Sequence, residues 1–139
     1  SSPLFRGPVT LTLDNLCQGS IYDHLGGGFA RYSSGAHWLA PHLEKMLHDN
    51  AMLVDLMADA WRVTRSPPHK TRIRETVEWA RRGLTTTSGD HTAFASAYDA
   101  HSGGKEGKFY IWSEMEIDDS LGDAANRLKE AWGISNYGN

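Results

Sequence analysis

Three consecutive glycines, Gly26 to Gly28, are the feature that most limits how this chain can fold. Glycine propagates a helix poorly, and three in a row make a continuous helix through this point costly. Residues 8–22 have apolar side chains at helical spacing, and Pro8 suits the first turn of a helix. We therefore expect a helix over 8–22, followed by a loop or small hairpin over 29–40 that turns at Ser34–Gly35.

Two further helices are predicted after this loop. Pro41 opens the first of them, over residues 42–65. Its apolar side chains form one stripe: Leu43, Met46, Leu47, Leu53, Met57 and Trp61. The segment Ser66–Pro68 ends that helix and begins the next, over residues 70–84.

The spacing changes from helical to alternating in the C-terminal part of the chain. Residues 92–98 and 108–112 both alternate, with glycines between them, which predicts a hairpin with a long polar tip. Ser113 and Glu116 have the spacing of a capping box, so a short helix is expected directly after the second strand. A last helix is predicted from about 124 to 132, where a glycine ends it.

The composition is that of a chain able to bury a core, with 139 residues, of which 22% are charged and 40% hydrophobic. A net charge of -3 argues against a nucleic-acid partner. No apolar run approaches about 20 residues, so no membrane partner is expected either. The single cysteine, Cys17, cannot form an internal disulfide, which gives no support for an oxidising compartment. We expect a cytoplasmic protein.

The predicted order is helix, loop, helix, helix, hairpin, helix, helix. Antiparallel helix pairs joined by glycine-rich loops indicate a mainly α fold, either a helical toroid or a solenoid. Such pairs bury their faces only against neighbouring pairs, so two and a half pairs leave one apolar flank uncovered. We expect that flank to contact the rest of a longer parent chain or a protein partner.

Four segments are similar, in order and spacing, to the YyaL/spermatogenesis-associated protein 20 family: Ile21–Tyr32, Trp38–Asn50, Ser96–Ser102 and Glu106–Trp112. The resemblance covers residues 10 to about 138. It implies a thioredoxin-like domain followed by an (α/α)6 toroid, a fold shared with six-hairpin glycosidases and N-acylglucosamine 2-epimerases. On this basis the whole chain is the N-terminal part of the toroid, without the thioredoxin-like domain and without the remaining hairpins.

The chain departs from the family pattern at three places. His101 and Gly103–Gly104 stand where the family usually has an acidic run. Ala30 stands where a histidine is common, and Thr85–His91 lacks the usual glycine-rich approach to the first strand. The resemblance therefore implies fewer carboxylates at this hairpin tip than in other members.

Three residues are candidates for catalytic acid or base chemistry: His24, His42 and Asp99. His24 follows Asp23, whose carboxylate could orient the imidazole toward the mouth of a toroid. The alternative is a structural histidine at a helix C-terminus, beside a glycine turn. Asp99 follows an aromatic strand end that we expect to face inward, where a carboxylate suits glycoside chemistry, whereas Glu106 is expected to be solvated.

Aromatic and polar side chains near these candidates predict a carbohydrate-binding surface, because rings stack on sugar faces and charged groups bind hydroxyls. The candidate substrate-binding residues are Tyr22, Arg31, Tyr32, Trp38, Glu44 and Tyr98. The alternative is structural: Arg31 pairs with Glu44 or Asp49, and Trp38 packs the loop against the long helix. The sequence leaves both interpretations open.

No metal or cofactor is expected. His42 and His48 are six residues apart, about 600° of helix rotation, so they point to different sides. Gly26–Gly28 follows a helix rather than a strand and has no Lys-Ser/Thr after it, which argues against a phosphate-binding loop. Cys17 lies in the apolar stripe of its helix and is interpreted as a core residue rather than a nucleophile.

These observations predict part of a toroid whose intact parent binds or modifies a small-molecule carbohydrate. The reaction would be epimerase- or isomerase-like proton transfer, or glycosidase-like hydrolysis. The chain alone is expected to be inactive, because six-hairpin sites draw residues from the whole ring. The alternative is a non-catalytic protein-interaction domain that works with a thioredoxin-like domain through the uncovered apolar flank.

Overall fold

The computed structural model describes residues 3–35 and 37–136, with side chains from Arg6 onward. Helices hold about half of the chain, which confirms the prediction of a mainly α fold. The strands among the described residues form only two-stranded antiparallel pairs. That the helices belong to an (α/α)6 toroid stays a prediction. The chain divides after Ala100 into two compact units. None of the helices described is both long enough and apolar enough to cross a bilayer.

The first helix, α1, spans Pro3–Gln18, so it begins and ends earlier than the predicted helix over 8–22. Pro8 lies inside α1 rather than in its first turn. It removes one backbone donor near the N-terminal end, which the remaining turns tolerate. Beyond the helix, Tyr22 lies in an isolated antiparallel bridge with Phe29 instead of continuing the helix.

The second helix, α2, spans Leu47–Thr64, so the prediction that it begins at residue 42 is wrong. Lys45–Met46 forms strand β1 instead. The backbone just before β1 is already paired outside any helix, since the Arg31 N–H donates to the Glu44 carbonyl at 2.9 Å. Tertiary hydrogen bonding thus outweighs the helical spacing of the first residues.

The third helix, α3, spans Pro67–Trp79 and continues into a π-helical turn over Ala80–Leu84. The predicted helix over 70–84 is confirmed, with a start three residues earlier. Pro67 and Pro68 occupy its first turn, where the missing N–H groups would have no helical partner. Helix α3 packs against both α1 and α2.

The predicted hairpin between residues 92–98 and 108–112 is wrong. Strand β2 (Thr85–Ser88) pairs with β3 (His91–Phe94) across a two-residue turn. Strand β4 (Ala97–Tyr98) pairs instead with β1, and residues 108–112 form a turn followed by residues without regular secondary structure. The β-branched residues of β2 lie next to β3 in sequence, so their pairing closes a much shorter loop than the predicted one.

The second unit begins with a short hairpin of β5 (His101–Ser102) and β6 (Lys105–Glu106). Gly103 and Gly104 join the two strands with φ values of 58° and 77°. These lie in the left-handed region, which glycine adopts without steric cost. The conformation of the hairpin tip therefore depends on these two glycines.

Two helices complete the second unit, and both sequence signals for them are confirmed. Helix α4 (Glu114–Leu121) begins at a capping box, in which the Ser113 N–H donates to Glu116 Oε2 at 2.8 Å and the Glu116 N–H donates to Ser113 Oγ at 3.2 Å. The Ser113 N–H and the Ser113 hydroxyl both donate to Glu116 Oε2, and these two bonds lower the pKa of Glu116. Helix α5 (Ala125–Trp132) ends at Gly133, whose φ is 66°.

The core of the first unit lies where α1, α2 and the chain after α1 meet. Its buried members are Leu13, Cys17, Ile21, Tyr22, Phe29, Ala30 and Met57. Cys17 is fully buried, as predicted, and its Sγ lies 3.6 Å from the Met57 Sδ. Burial raises the pKa of the Cys17 thiol to about 11, so it is protonated and unreactive at neutral pH.

Candidate functional site

The glycine loop, residues 23–28, closes tightly against α3. Gly27 and Gly28 have φ values of 83° and 84°, which strain any residue with a side chain. A Cβ on Gly28 would lie 2.7 Å from the ring of Trp79, and one on Gly27 would lie 3.1 Å from the Trp79 Cβ. These two glycines therefore allow both the backbone turn and the close approach to Trp79.

Lys45 holds the same loop from inside the protein. Its side chain is only 4% exposed, and its Nζ donates to Asp23 Oδ2 at 2.7 Å and to the Gly27 carbonyl at 2.8 Å. Nζ also lies 5.3 Å from the centroid of the Trp79 ring. Burial lowers the pKa of Lys45, and the attraction of Asp23 opposes that effect. A buried cation of this kind depends on its carboxylate partner.

Asp23 binds the backbone of the loop as well as Lys45. The N–H groups of Leu25 and Gly26 donate to its Oδ1 at 3.0 and 2.8 Å. Burial alone would raise the pKa of Asp23, but the Gly26 N–H and Lys45 together outweigh it and lower the pKa. The carboxylate therefore serves the loop and Lys45, whereas the sequence hypothesis had it orient His24.

His24 is exposed and is oriented by an arginine of α3. The Arg72 Nη2 lies 3.0 Å from its Nδ1, and its Nε2 lies 3.1 Å from the Gly19 carbonyl oxygen. A guanidinium can only donate, so these partners assign Nδ1 as the acceptor and Nε2 as the nitrogen that carries the proton. Both ring nitrogens of His24 are thus engaged within the protein.

Tyr22 is 2% exposed and belongs to the same network. Its hydroxyl donates to Glu75 Oε2 at 2.7 Å, and Arg72 Nη1 donates to the same oxygen at 2.7 Å. The Arg72 guanidinium also lies 4.1 Å from the centroid of the Tyr22 ring. Burial and the bond to Glu75 raise the pKa of Tyr22. We call the six side chains that fix this region the loop cluster: Tyr22, Asp23, His24, Lys45, Arg72 and Glu75.

A second group of polar side chains lies on the segment after the glycine loop. Arg31 Nη1 is 3.1 Å from Glu44 Oε2, and Arg31 Nε is 4.0 Å from Asp49 Oδ2. The pairing of Arg31 with Glu44 or Asp49, which the sequence suggested, is present with both. His48 Nε2 lies 3.1 Å from the other oxygen of Asp49. The Arg31 side chain remains 47% exposed, so this ion pair faces solvent.

Two aromatic side chains that are close in sequence to this ion pair stack on each other. The rings of Tyr32 and His42 lie 4.7 Å apart with an interplanar angle of 17°, and the His42 N–H donates to the Tyr32 carbonyl at 2.8 Å. Tyr32 is 48% exposed, so much of its ring is accessible. We call Arg31, Tyr32, His42, Glu44 and Asp49 the Arg31 surface.

The remaining candidates lie elsewhere. Trp38 has a φ of 57° and is partly exposed, and its carbonyl accepts a hydrogen bond from the Ser20 hydroxyl. Tyr98 is the register partner of Lys45 in the β1–β4 ladder, and its ring meets that of Trp79 edge to face at 5.8 Å. Asp99 follows directly and is exposed. Within the described part of the chain, no group of three or more His, Cys, Asp or Glu side chains could hold a metal ion.

Comparison with curated proteins finds relatives that match most of this chain. The chain is 34% identical over 116 residues to spermatogenesis-associated protein 20 of Homo sapiens, a match that covers 79% of this chain. It is 32% identical to the Mus musculus protein of the same name, over 92% of this chain. An uncharacterized protein of Caenorhabditis elegans is 34% identical over 81% of this chain. This chain belongs to the spermatogenesis-associated protein 20 family.

The chain spans a small part of its family relatives. The matched residues cover 14% of the human protein, 18% of the mouse protein and 16% of the nematode protein. No family model matches the chain. Membership of the spermatogenesis-associated protein 20 family agrees with the resemblance seen in the four sequence segments. The names of these relatives state no substrate or reaction.

In this family member, some of the residues that organise the site were not among the predicted site residues. Arg72 and Glu75 contact Tyr22 and belong to α3, about 50 residues further along the chain. Asn50 of α2 is buried, and its side chain accepts from the Phe29 N–H at 2.7 Å and donates to the Phe29 carbonyl at 3.0 Å. Only the i, i+3 spacing of Arg72 and Glu75, which predicts an ion pair on one helix face, was visible in the sequence.

Proposed function

We propose that the intact protein binds a small-molecule carbohydrate or similar polyol, and that the Arg31 surface forms part of the binding site. The observation that carries this proposal is the stacked pair of Tyr32 and His42 next in the chain to the exposed ion pair of Arg31 with Glu44. Aromatic rings pack on the apolar faces of sugars, while charged groups bind hydroxyls with directional hydrogen bonds.

The acceptors and donors of this surface suit a neutral polyhydroxyl ligand. Arg31 supplies several N–H donors in a planar fork, and Glu44 is partly exposed beside it. The Asp49 Oδ2 is buried and accepts no hydrogen bond from the described residues, with Arg31 Nε 4.0 Å away. A ligand hydroxyl beside the exposed Arg31 and the partly exposed Glu44 would gain a donor and an acceptor together.

The loop cluster is less suited to bind a ligand. Tyr22 is buried, and both nitrogens of His24 already have protein partners. Within the proposal, His42 is therefore the first candidate for acid or base chemistry, and the exposed Asp99 is the second. The proposed reaction classes are epimerase- or isomerase-like proton transfer and glycosidase-like hydrolysis. His24 is assigned to fixing the glycine loop.

The test is a thermal-shift titration of the protein at its full natural length with neutral monosaccharides, amino sugars and sugar phosphates. The site variant is the double substitution Arg31→Ala, Glu44→Ala, which removes both charges together. The matched control is Arg74→Ala, Glu78→Ala on α3, another exposed Arg–Glu pair with atoms 4.0 Å apart. A sugar that raises the melting midpoint of the parent and the control but not of the site variant is the expected result.

Two outcomes would count against the proposal. The first is that no sugar shifts the melting midpoint of any of the three proteins, although all three are folded. Alternatively, a sugar shifts all three equally, which places its site away from Arg31 and Glu44. Two further variants, Tyr32→Ala and Tyr32→Phe, separate loss of the ring from loss of the hydroxyl, because only the ring is expected to matter for stacking.

A further inference from the structure

An open groove of about 650 Å³ lies between α1 and α2, away from the glycine loop. Its apolar lining comes from Val9 of α1 and from Leu56, Ala60 and Val63 of α2. Val9, Leu56 and Val63 are 41%, 47% and 61% exposed. Side chains of this kind rarely stay exposed together on a surface without a partner.

The apolar residues of α2 continue beyond the groove as a stripe. Met52, Leu56 and Val63 follow each other at spacings of four and seven residues, so they share one side of the helix. Met52 is 71% exposed. The stripe runs for about 16 Å along the helix axis. Met57 lies in the buried core, so α2 is apolar on two sides, one of them uncovered among the described residues.

Two arginines flank this stripe. Arg6 of α1 and Arg62 of α2 both line the groove, together with one acid, Asp59, which lies 3.5 Å from Arg62. The three charged groups that line the groove therefore sum to one positive charge. A partner that covers the apolar stripe and carries carboxylates along its edge would be complementary in both respects.

We propose that this groove binds an amphipathic helix whose apolar face is flanked by carboxylates. A helix in a groove presents anchors at i, i+3, i+4 and i+7, which matches a line of exposed side chains over three turns of α2. A compact small molecule would fill the groove but would leave Met52 uncovered. This surface is separate from the Arg31 surface, so the proposal does not depend on carbohydrate binding.

The test uses two designed helical peptides with the same leucine face, one with glutamate flanks and one with lysine flanks. Each is titrated into the protein at its full natural length by isothermal titration calorimetry. The glutamate peptide is expected to bind at least tenfold more tightly, with a preference that shrinks as salt rises. In the variant Arg6→Glu, Arg62→Glu the preference is expected to reverse.

Apolar contact is tested separately by Leu56→Asp and, at the more exposed position, Met52→Asp. Both are expected to abolish binding of the glutamate peptide. The matched control is Leu25→Asp in the glycine loop, where the leucine is 81% exposed and distant in sequence from the groove; it should bind like the parent. Unfolding midpoints verify that every variant is folded.

Three results would overturn the proposal. The first is that neither peptide binds the parent. The second is that both peptides bind equally and that the charge-reversed variant does not change their affinities. The third is a mass that rises with protein concentration in light scattering and returns to that of a monomer in Leu56→Asp. That result would assign the groove to a second copy of the chain.

Discussion

The loop cluster and the Arg31 surface contain the same kinds of residue and use them differently. In the loop cluster, Lys45 and Tyr22 are buried, and their polar atoms bond to groups from the glycine loop and α3. On the Arg31 surface, Arg31 and Tyr32 are about half exposed, and they contact Glu44, Asp49 and His42 on the segments that follow in the chain. Arginine, tyrosine and carboxylate alone therefore do not separate a structural network from a binding surface.

The two regions differ in how deeply their charged groups are buried and in how many protein partners each group has. A buried charge with two protein acceptors is costly to disturb, because the groups left behind lose their partners without regaining water. An exposed ion pair contributes little to stability, so its atoms can exchange protein partners for ligand hydroxyls at small cost. The difference between the two regions is thus measurable as a difference in the free energy of unfolding.

The largest effect is expected from Lys45→Met. The substitution removes the ammonium from Asp23 and from the Gly27 carbonyl but keeps most of the apolar stem. We expect a loss of about 3–5 kcal/mol in the free energy of unfolding, the range for a buried pair that loses one partner. Urea denaturation followed by tryptophan fluorescence measures it.

Lys70→Met is the control for Lys45→Met. Lys70 is exposed on α3, with its Nζ 5.9 Å from the Trp61 ring centroid, so its removal should cost less than about 1 kcal/mol. Equal losses in the two variants would break the comparison, because they would show that the buried position of Lys45 adds nothing.

The next largest effect is expected from Gly28→Ala. The added methyl would lie 2.7 Å from the Trp79 ring at a φ of 84°, so overpacking adds to backbone strain. We expect a loss of about 3 kcal/mol in chemical denaturation. Gly89→Ala is the control, since Gly89 has a φ of 58° with open space around its Cβ, and strain alone should cost about 1–2 kcal/mol. If the two variants were equally stable, the close approach of the loop to Trp79 would not matter.

Local signals predicted the elements that local interactions determine. The capping box at Ser113 and Glu116 and the end of α5 at Gly133 follow from hydrogen bonds within one turn of a helix. Pro67 and Pro68 likewise mark the start of α3. In each case the residues that make the interaction are adjacent in sequence, so the pattern is visible without the fold.

Elements that depend on distant partners could not be predicted in this way. Helix α2 begins at Leu47 rather than at residue 42, because β1 pairs with β4 some 50 residues later. The alternating run over 92–98 forms two strands, β3 and β4, rather than one, and neither pairs with residues 108–112. Periodicity indicates extended structure and not what it pairs with. The run of β-branched residues Thr85–Thr87 was the available signal for β2.

The contacts of the candidate site show the same difference between partners that are close in sequence and partners that are distant. The contact of Arg31 with Glu44 was anticipated, because the two residues lie 13 positions apart on one loop and the next segment. The contact of His24 with Arg72 spans 48 positions, and the sequence instead suggested the adjacent Asp23 as its partner. A carboxylate that is adjacent in sequence is the simplest partner to predict for a histidine. In the fold, however, the Asp23 carboxylate accepts from Lys45.

A pH-dependent effect of intermediate size is expected from Cys17, which lies in the core beside the loop cluster. Burial raises its pKa from an ordinary 9.0 to about 11, so above pH 9 the unfolded chain loses a proton that the folded chain keeps. Stability from this group is complete below pH 9 and is lost as the pH rises to about 11, by about 2–3 kcal/mol in total. Urea denaturation between pH 8 and 11 measures it.

Cys17→Ala isolates this contribution from those of other groups. Tyr22, whose pKa is also raised, and Lys45, whose pKa is lowered, remain in both proteins, so their effects cancel in the comparison. The variant is expected to be less stable at pH 8 but to lose less stability between pH 9 and 11. Parallel curves for the two proteins would show that the thiol is not protected by burial.

The smallest effect is expected from Arg31→Ala, and it decides how the two regions are compared. Removing an exposed arginine from Glu44 and Asp49 should cost less than about 1 kcal/mol in urea denaturation, similar to Arg74→Ala on α3. A loss of 3 kcal/mol or more would place Arg31 with Lys45 as a structural residue. The Arg31 surface would then have no atoms to exchange with a ligand, and the carbohydrate proposal would lose the observation that carries it.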